Sequence, residues 1–514
     1  MPETKATTFE PIKNVQKEDY IAVCTTVENS IKIHVIGYKC KSVIAEYLIA
    51  PETVTNFIEE IPKIFDGTKC KAILFDIYKF EPLSTEFPHV INLCYTIRFK
   101  LDELGIKYYF YSDRTLFLSG LLISAKISNP SKDDVIIFIL ANAEKLIVNE
   151  YKFGEFGYEK LRDISITVEN KDSFPEIREK ILAGTKPKNI IVFGADMDLP
   201  IMKKFKKNIF KQEKLIFREK KSIAVESAQH SLKISKWILN PSYVKYHVIQ
   251  KCAKKFCLSS CLGSPFLTIE AGEKLPYEFE EYAFRSSNVI ALTAFDNDDE
   301  NERIIYETMQ DDQSRHRSKI IFHIDSQNFP YLCVKPILID LIQDLPAKLD
   351  ENLTKKIPVI VFCDNFSVIV ARKNGEESYG YLEKWNGIYG HDASIYVDGN
   401  RREFGWKARD LKYISPGSGV IDMLTLLSKS VEDLKMEPAL GRDPETTLIK
   451  FMTELIKEHF EVIREETGKA VEEIAFWNLV NFDPEPYNRY KSRLIKSFDS
   501  LGIVCHILQL EIPE

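Results

Sequence analysis

The sequence predicts an α/β protein in which one αβ unit occurs twice, with an all-β module between the copies. Three observations carry that expectation. First, Pro51-Glu52-Thr53, Phe80-Glu81-Pro82 and Leu104-Gly105-Ile106 recur in the same order as Pro444-Glu445-Thr446, Phe482-Asp483-Pro484 and Leu501-Gly502-Ile503. Second, Val135 to Leu140 and Ile190 to Phe193 are uninterrupted apolar runs, the composition of central strands in an α/β sheet. Third, from Phe266 to Val334 the hydrophobic period drops to two and helix signals vanish.

In chain order, Tyr20-Ile21-Ala22-Val23, Ile31 to Ile36 and Val43 to Ile49 read as a meander of short strands separated by polar turns. Pro51-Glu52-Thr53 opens a helix with Val54, Phe57, Ile58 and Ile61 on one face. A buried strand, Ala72 to Phe75, precedes a helix from about Pro88 to Leu104, closed by Gly105, and a strand at Lys107 to Tyr111. The second copy repeats this with a helix at Pro444, a strand at Glu473 to Phe476, a helix ending at Leu501 and a strand from Ile503 to Leu508. A helix over Pro336 to Leu353 leads to a strand at Val359 to Phe362.

Length and composition bound the function. At 514 residues, 45% hydrophobic and 28% charged, the chain is long enough for two to four domains with ordinary cores. Its 69 basic and 76 acidic residues give a net charge of -7, which argues against nucleic acid as a partner. Met1 to Lys17 offers no apolar signal region and no window has the continuous apolar length of a membrane span, so no membrane partner is expected. The ten cysteines lie in apolar contexts, as free thiols do in a reducing compartment, and a cytoplasmic location is expected.

Several segments together resemble the seventy-kilodalton heat-shock chaperone family. Lys188 to Ile201, retaining Gly194 and Pro200, resembles its adenosine-site strand and turn, and Ser222 to Ala228 resembles the helix that follows. Gly272-Glu273-Lys274-Leu275-Pro276 and Ile324 to Asn328 resemble strands of its peptide-binding sandwich, and Arg401 to Ala408 its Gly-x-x-Ala hairpin. The resemblance implies actin-like (ribonuclease-H-like) ATPase lobes, a β-sandwich-like module and a second copy of the first lobe. It assigns residues 1–130 to a first lobe, 131–260 to a shortened second lobe, 265–335 to the sandwich, 336–356 to a helical linker and 357–514 to the repeated first lobe.

The family binds ATP with glycine turns that press backbone N–H groups against phosphates, and with aspartates that hold magnesium. Here the first phosphate loop reduces to Cys24-Thr25-Thr26 and, in the second copy, to Cys363-Asp364-Asn365-Phe366-Ser367, where Asp364 could meet a cation. The second phosphate loop falls on Ile139-Leu140-Ala141-Asn142-Ala143-Glu144, without glycine and with a carboxylate where the γ-phosphate would sit. Two like charges ~4 Å apart repel by ~4 kcal/mol at an effective dielectric of ~20. The family's catalytic lysine would fall on Leu424, and its Glu-Pro-Thr turn on Asp113-Arg114-Thr115. Only about fifty residues separate Ile139 from Phe193, too few for the subdomain that covers the nucleotide, and the sandwich leaves no room for its opening strands.

The resemblance therefore implies a catalytically silent pseudo-ATPase that binds other proteins, unfolded clients or co-chaperones, with no catalytic residue and no required cofactor. A divergent chaperone holding ATP or ADP with Mg through Thr25, Thr26, Asp113 and Gly194 is the enzyme-class alternative. A rearrangement product with no ligand is the third. Other clusters read blandly. His247, Cys252, Cys257 and Cys261 lack zinc spacing, Lys203 to Lys207 is a solvated helix face, and Asp296 to Glu302 lacks a calcium-loop pattern. Asp196 with Asp198, or Asp113 with Glu144, could be paired as acid and base, but exposed turn carboxylates are the default.

Overall fold

The computed structural model describes residues 18–508 apart from 84, 143–144, 168–172, 195–196, 199, 211–212, 261–264, 288, 296–301, 310–312, 400, 415–418 and 481. Residues 1–17 and 509–514 therefore lie outside it, as do Ala143, Glu144, Asp196, Cys261 and the Asp296 to Asn301 run.

The first sheet follows from alternation and punctuation. β1 (Tyr20–Val27) turns through Glu28 and Asn29, both left-handed at φ 45° and 53°, into β2 (Ser30–Gly37), and β3 (Val43–Ile49) completes the meander. A two-residue turn with both φ positive matches the twist of paired strands. Pro51–Thr53 forms a tight helical turn before α1 (Val54–Ile64), which buries Val54, Phe57, Ile58 and Ile61 at helical spacing. β4 (Cys70–Asp76), α2 (Val90–Glu103), β5 (Tyr108–Phe110) and α3 (Asp113–Ser124) follow. β4 and β5 add in parallel beside β1, so the order is β3-β2-β1-β4-β5.

The second sheet repeats that order. β6 (Val135–Ala141), β7 (Lys145–Gly154) and β8 (Gly157–Thr167) form a meander, α4 (Phe174–Leu182) crosses over, and β9 (Asn189–Gly194) lies parallel to β6. After α5 (Pro200–Lys204), β10 (Leu215–Glu219) adds beside β9 and gives the order β10-β9-β6-β7-β8. α6 (Lys220–Val225) and α7 (Ser227–Leu239) return the chain to the first lobe. There Leu232 and Ile234 share a core with Ile21, Val23 and Leu74.

The all-β module opens with β11 (Lys255–Ser260) and continues through β12 (Pro265–Ile269), β13 (Tyr277–Phe284), β14 (Val289–Phe295), β15 (Glu302–Met309), β16 (Arg317–Ile324) and β17 (Pro330–Ile337). They form two sheets, β12-β11-β14-β15 and β13-β16-β17. β11 pairs with both β12 and β14, so an opening strand exists where the sequence reading left no room for one. Its Phe256, Leu258 and Ser260 point inward in strict alternation.

α8 (Asp340–Gln343) and α9 (Leu345–Asn352) replace the single helix expected between Pro336 and Leu353. In the last sheet β18 (Val359–Cys363), β19 (Phe366–Ala371), β20 (Gly380–Tyr381) and β21 (His391–Asp392) precede a small sheet of β22 (Ile395–Asp398), β23 (Arg401–Phe404) and β24 (Gly419–Val420). α10 (Gly405–Ile414), α11 (Met423–Ser428), α12 (Val431–Leu434), α13 (Pro444–Thr467), β25 (Glu473–Asn478), α14 (Pro484–Asp499) and β26 (Val504–Ile507) complete it. β18, β25 and β26 run parallel, so the order β20-β19-β18-β25-β26 repeats the first two sheets. The molecule is thus mixed α/β, and the duplicated segments occupy equivalent places in two like sheets. Among the described residues no helix is long and apolar enough to cross a membrane.

Candidate functional site

The four residues singled out for nucleotide do not share a cavity. Thr25 and Thr26 lie within β1, not in a turn, paired with Lys32 and Ile31 of β2, and the chain reverses only at Glu28 and Asn29. This corrects the expectation that Cys24-Thr25-Thr26 is a loop remnant: eight residues pair continuously, and Asn29 anchors the turn by accepting from Glu81 N at 2.8 Å. Gly194 ends β9 between Ala141 and Glu219. Ile139, Leu140 and Ala141 are likewise strand residues, with Asn142 Oδ1 accepting from Lys145 N at 2.6 Å. Leu424, which the resemblance sets against a lysine, is fully buried in α11. Asp113 begins α3, whose cap Ser112 accepts from Thr115 N.

Asp113 alone of the four lines a crevice of about 580 Å³ where the first lobe, the second lobe and the sandwich meet. The carboxyl ends of β4 and β5 supply Asp76, Tyr78, Lys79, Ser112 and Asp113; β7 and β8 supply Tyr151, Lys160 and Asp163. The connecting segment holds the far wall with Lys251 and Lys254. That segment is pinned to β8, Tyr158 N donating to His247 O at 2.8 Å and Ile249 N to Tyr158 O at 2.9 Å. Gly157 is required there. A Cβ at its φ of +122° would stand 2.4 Å from His247 O.

Ion pairs organise the crevice. Lys79 Nζ is 2.6 Å from Asp113 Oδ2. Arg114 Nη2 and Lys160 Nζ both reach Asp163 Oδ2, at 2.7 and 3.0 Å, and Arg114 also donates to Asn149. Burial alone would raise the Asp163 carboxyl, but hydrogen bonds from Lys160 and Arg114 outweigh it and hold it below the usual range. Asp76 goes the other way: burial, with Asp113 beside it, pushes its carboxyl up to about 7 against the opposing pull of Lys79. Asp76 was missed in the sequence, although a carboxylate at the end of a parallel strand, where open α/β sheets place ligands, could have marked it. Lys160 and Asp163 gave no such signal.

The second-copy hairpin is occupied by the protein itself. Asp364, left-handed at φ 47°, meets a cation, and that cation is Arg317 of the sandwich, whose Nε and Nη2 lie 2.5 and 2.7 Å from its two carboxylate oxygens. Arg285 enters beside it. Its Nε lies 2.7 Å from Asp392 Oδ1, in an ion pair not aligned as a hydrogen bond, and its Nη1 donates to Tyr389 O at 2.5 Å. Arg409 Nη1 takes the other Asp392 oxygen at 2.9 Å. Arg285 and Asp392 are 3% and 1% exposed, and burial lowers the Arg285 pKa. His316 stacks on Phe366 at 5.1 Å. Its Nδ1 accepts from Ile339 N while Nε2 faces Ile388 O at 2.9 Å, so it is neutral with the proton on Nε2; burial holds its pKa down at about 4.

Other clusters carry no chemistry. Ser367 Oγ faces His459 Nε2 at 2.8 Å like a nucleophile and base, but both are fully buried and His459 Nδ1 is 2.6 Å from Leu455 O. His247 stacks on Trp237 at 3.6 Å, and the Cys252 thiol approaches Lys254 O. Among the described residues no three His, Cys, Asp or Glu side chains are grouped to hold a metal. Lys203, Lys204 and Lys207 are exposed while Ile201, Phe205 and Ile209 are buried, a solvated face over a packed one. Asp198 is exposed beside Lys203 at 3.3 Å. No family model matches the chain, and no curated protein matches it.

Proposed function

We propose that the chain is a heat-shock-chaperone-like scaffold of actin-like lobes around a β-sandwich, working in the cytoplasm as a non-hydrolysing protein-binding or regulatory module. One observation carries the reading: where the first phosphate-gripping turn would lie in each copy, the strands are joined by Glu28-Asn29 and Asp364-Asn365, short hairpins without glycine, and the second of these is filled by Arg317. A Cβ-bearing turn keeps its backbone N–H groups away from a phosphate, and an arginine already seated on Asp364 leaves no vacancy for a metal-bound one. Further support comes from the repeated sheet order and from α3 and α7, which carry the chain out of the first lobe and back.

The test is suppression of aggregation of a thermally unfolded reporter protein by the full chain, with and without Mg-ATP. Equal suppression in both conditions is expected. Absence of suppression, or suppression that requires Mg-ATP, overturns the reading.

A further inference from the structure

The crevice combines suitable size with an unbalanced charge. About 580 Å³ is within the range of small-molecule sites, and the space opens at the carboxyl edge of parallel strands. Lys79, Arg114, Lys160, Lys251 and Lys254 line it against Asp76, Glu81, Asp113 and Asp163. The pairing is uneven as well as the count. Arg114 and Lys160 share one oxygen of Asp163, so one of these two cations has no carboxylate of its own there. The Lys160 side chain is only 15% exposed, which makes that surplus charge costly unless an anion joins it.

A second observation is independent of charge. Tyr151, 4% exposed overall, lines the same space and so sets a phenol in the crevice wall. A phenol hydroxyl open to a crevice can donate to a bound oxyanion. A donor beside two closely set cations is the arrangement that receives a tetrahedral oxyanion, whose several oxygens can engage all three at once. The remaining wall, with Phe80, Val90 and Ile249, offers carbon surface to an organic remainder.

We propose that this junction crevice is a binding site for a small phosphate monoester, its phosphate received by Arg114, Lys160 and Tyr151. Because the walls come from both lobes and the sandwich, the occupant would tie the three together. The inference stands apart from the protein-binding reading, since neither requires the other.

The experiment is calorimetric titration of the full chain with glycerol 3-phosphate at fixed ionic strength, with glycerol and malonate as controls. Saturable binding of the phosphate ester is expected, with none of glycerol and weaker binding of malonate. Affinity should fall about tenfold in Lys160→Met and severalfold in Tyr151→Phe, which keeps the ring and so the packing, as loss of charge-assisted and neutral hydrogen bonds would give. Lys203→Met, an exposed lysine of α5, should bind as the parent does. No binding at about 10 mM, where even a contribution of ~3 kcal/mol would register, overturns the proposal. So does malonate binding as tightly as the ester, or binding unchanged in both crevice variants.

Discussion

The joints of the sandwich with the first and last lobes are built from different chemistry. Against the first lobe it shares one hydrophobic core: Phe256, Leu258, Ile320 and Phe322 belong to the same cluster as Phe57, Phe75 and Ile97. Phe329 sits at the seam, 5.0 Å from Phe110 and 5.1 Å from Tyr95, with the Arg98 guanidinium 4.9 Å over its ring. The turn before it caps the edge of β5, where Phe110 N donates to Gln327 Oε1 at 3.0 Å and Tyr109 Oη to Ser326 O at 2.8 Å. Against the last lobe the joint is Arg285, His316 and Arg317 set on Asp392, Ile388 and Asp364. β16 links the two, with Arg317 at one end and the Asp325 turn at the other. The difference teaches that two lobes with the same strand order dock on the sandwich through different faces, one by its helices and the edge of β5, the other by its hairpin.

The largest expected effect is on the ionic joint. Asp392→Ala leaves Arg285 and Arg409 buried without their carboxylate and should cost about 3–5 kcal/mol. Urea unfolding would show this as a lower midpoint or a separate early transition of the last lobe; an unchanged curve would mean that the pair is not formed in solution. On the apolar joint, Phe329→Ala removes a ring that is 3% exposed and should cost about 3 kcal/mol with little salt dependence. If instead that variant were rescued by low salt, the contrast between the joints would fail.

Two smaller effects sharpen the comparison. Asp76 favours its neutral form in the fold, so the native state holds a proton that the unfolded chain releases near its ordinary value of 3.8. Its contribution is therefore most favourable at acid pH and is lost as pH rises from about 4 to about 7. Asp76→Asn should raise stability by roughly 2 kcal/mol at pH 8 and leave it unchanged near pH 3, a figure discounted for partial exposure. Melting curves at the two pH values decide it. The smallest effect is at the partly exposed pair: Arg317→Met should cost about 1 kcal/mol at low salt and less at high salt. Equal losses at both salt levels would place Arg317 with the apolar contacts.

Much of the fold was legible. Apolar runs and Pro/Gly punctuation marked β1 to β5 and their repeats β18, β25 and β26, because buried parallel strands must be apolar and helices must be capped. The second lobe repeats the same strand order without the Pro-Glu-Thr marker, so only pairing in space revealed the third occurrence. β11 carried its alternation at Phe256, Leu258 and Ser260, but short strands with cysteine and serine also fit other readings. The site was less legible. Thr25, Thr26 and Gly194 were placed by resemblance and prove to be strand residues, whereas Asp113 does reach a crevice. Arg285, His316 and Arg317 gave no sequence signal, since residues at or beyond strand ends gain their partners only when distant elements pack.

The proposed reading is that the chain does not hydrolyse ATP. Release of inorganic phosphate from Mg-ATP by the purified full chain tests it most directly. The account predicts no release above a protein-free control. Steady release that disappears in Thr26→Val or Asp113→Ala would contradict it.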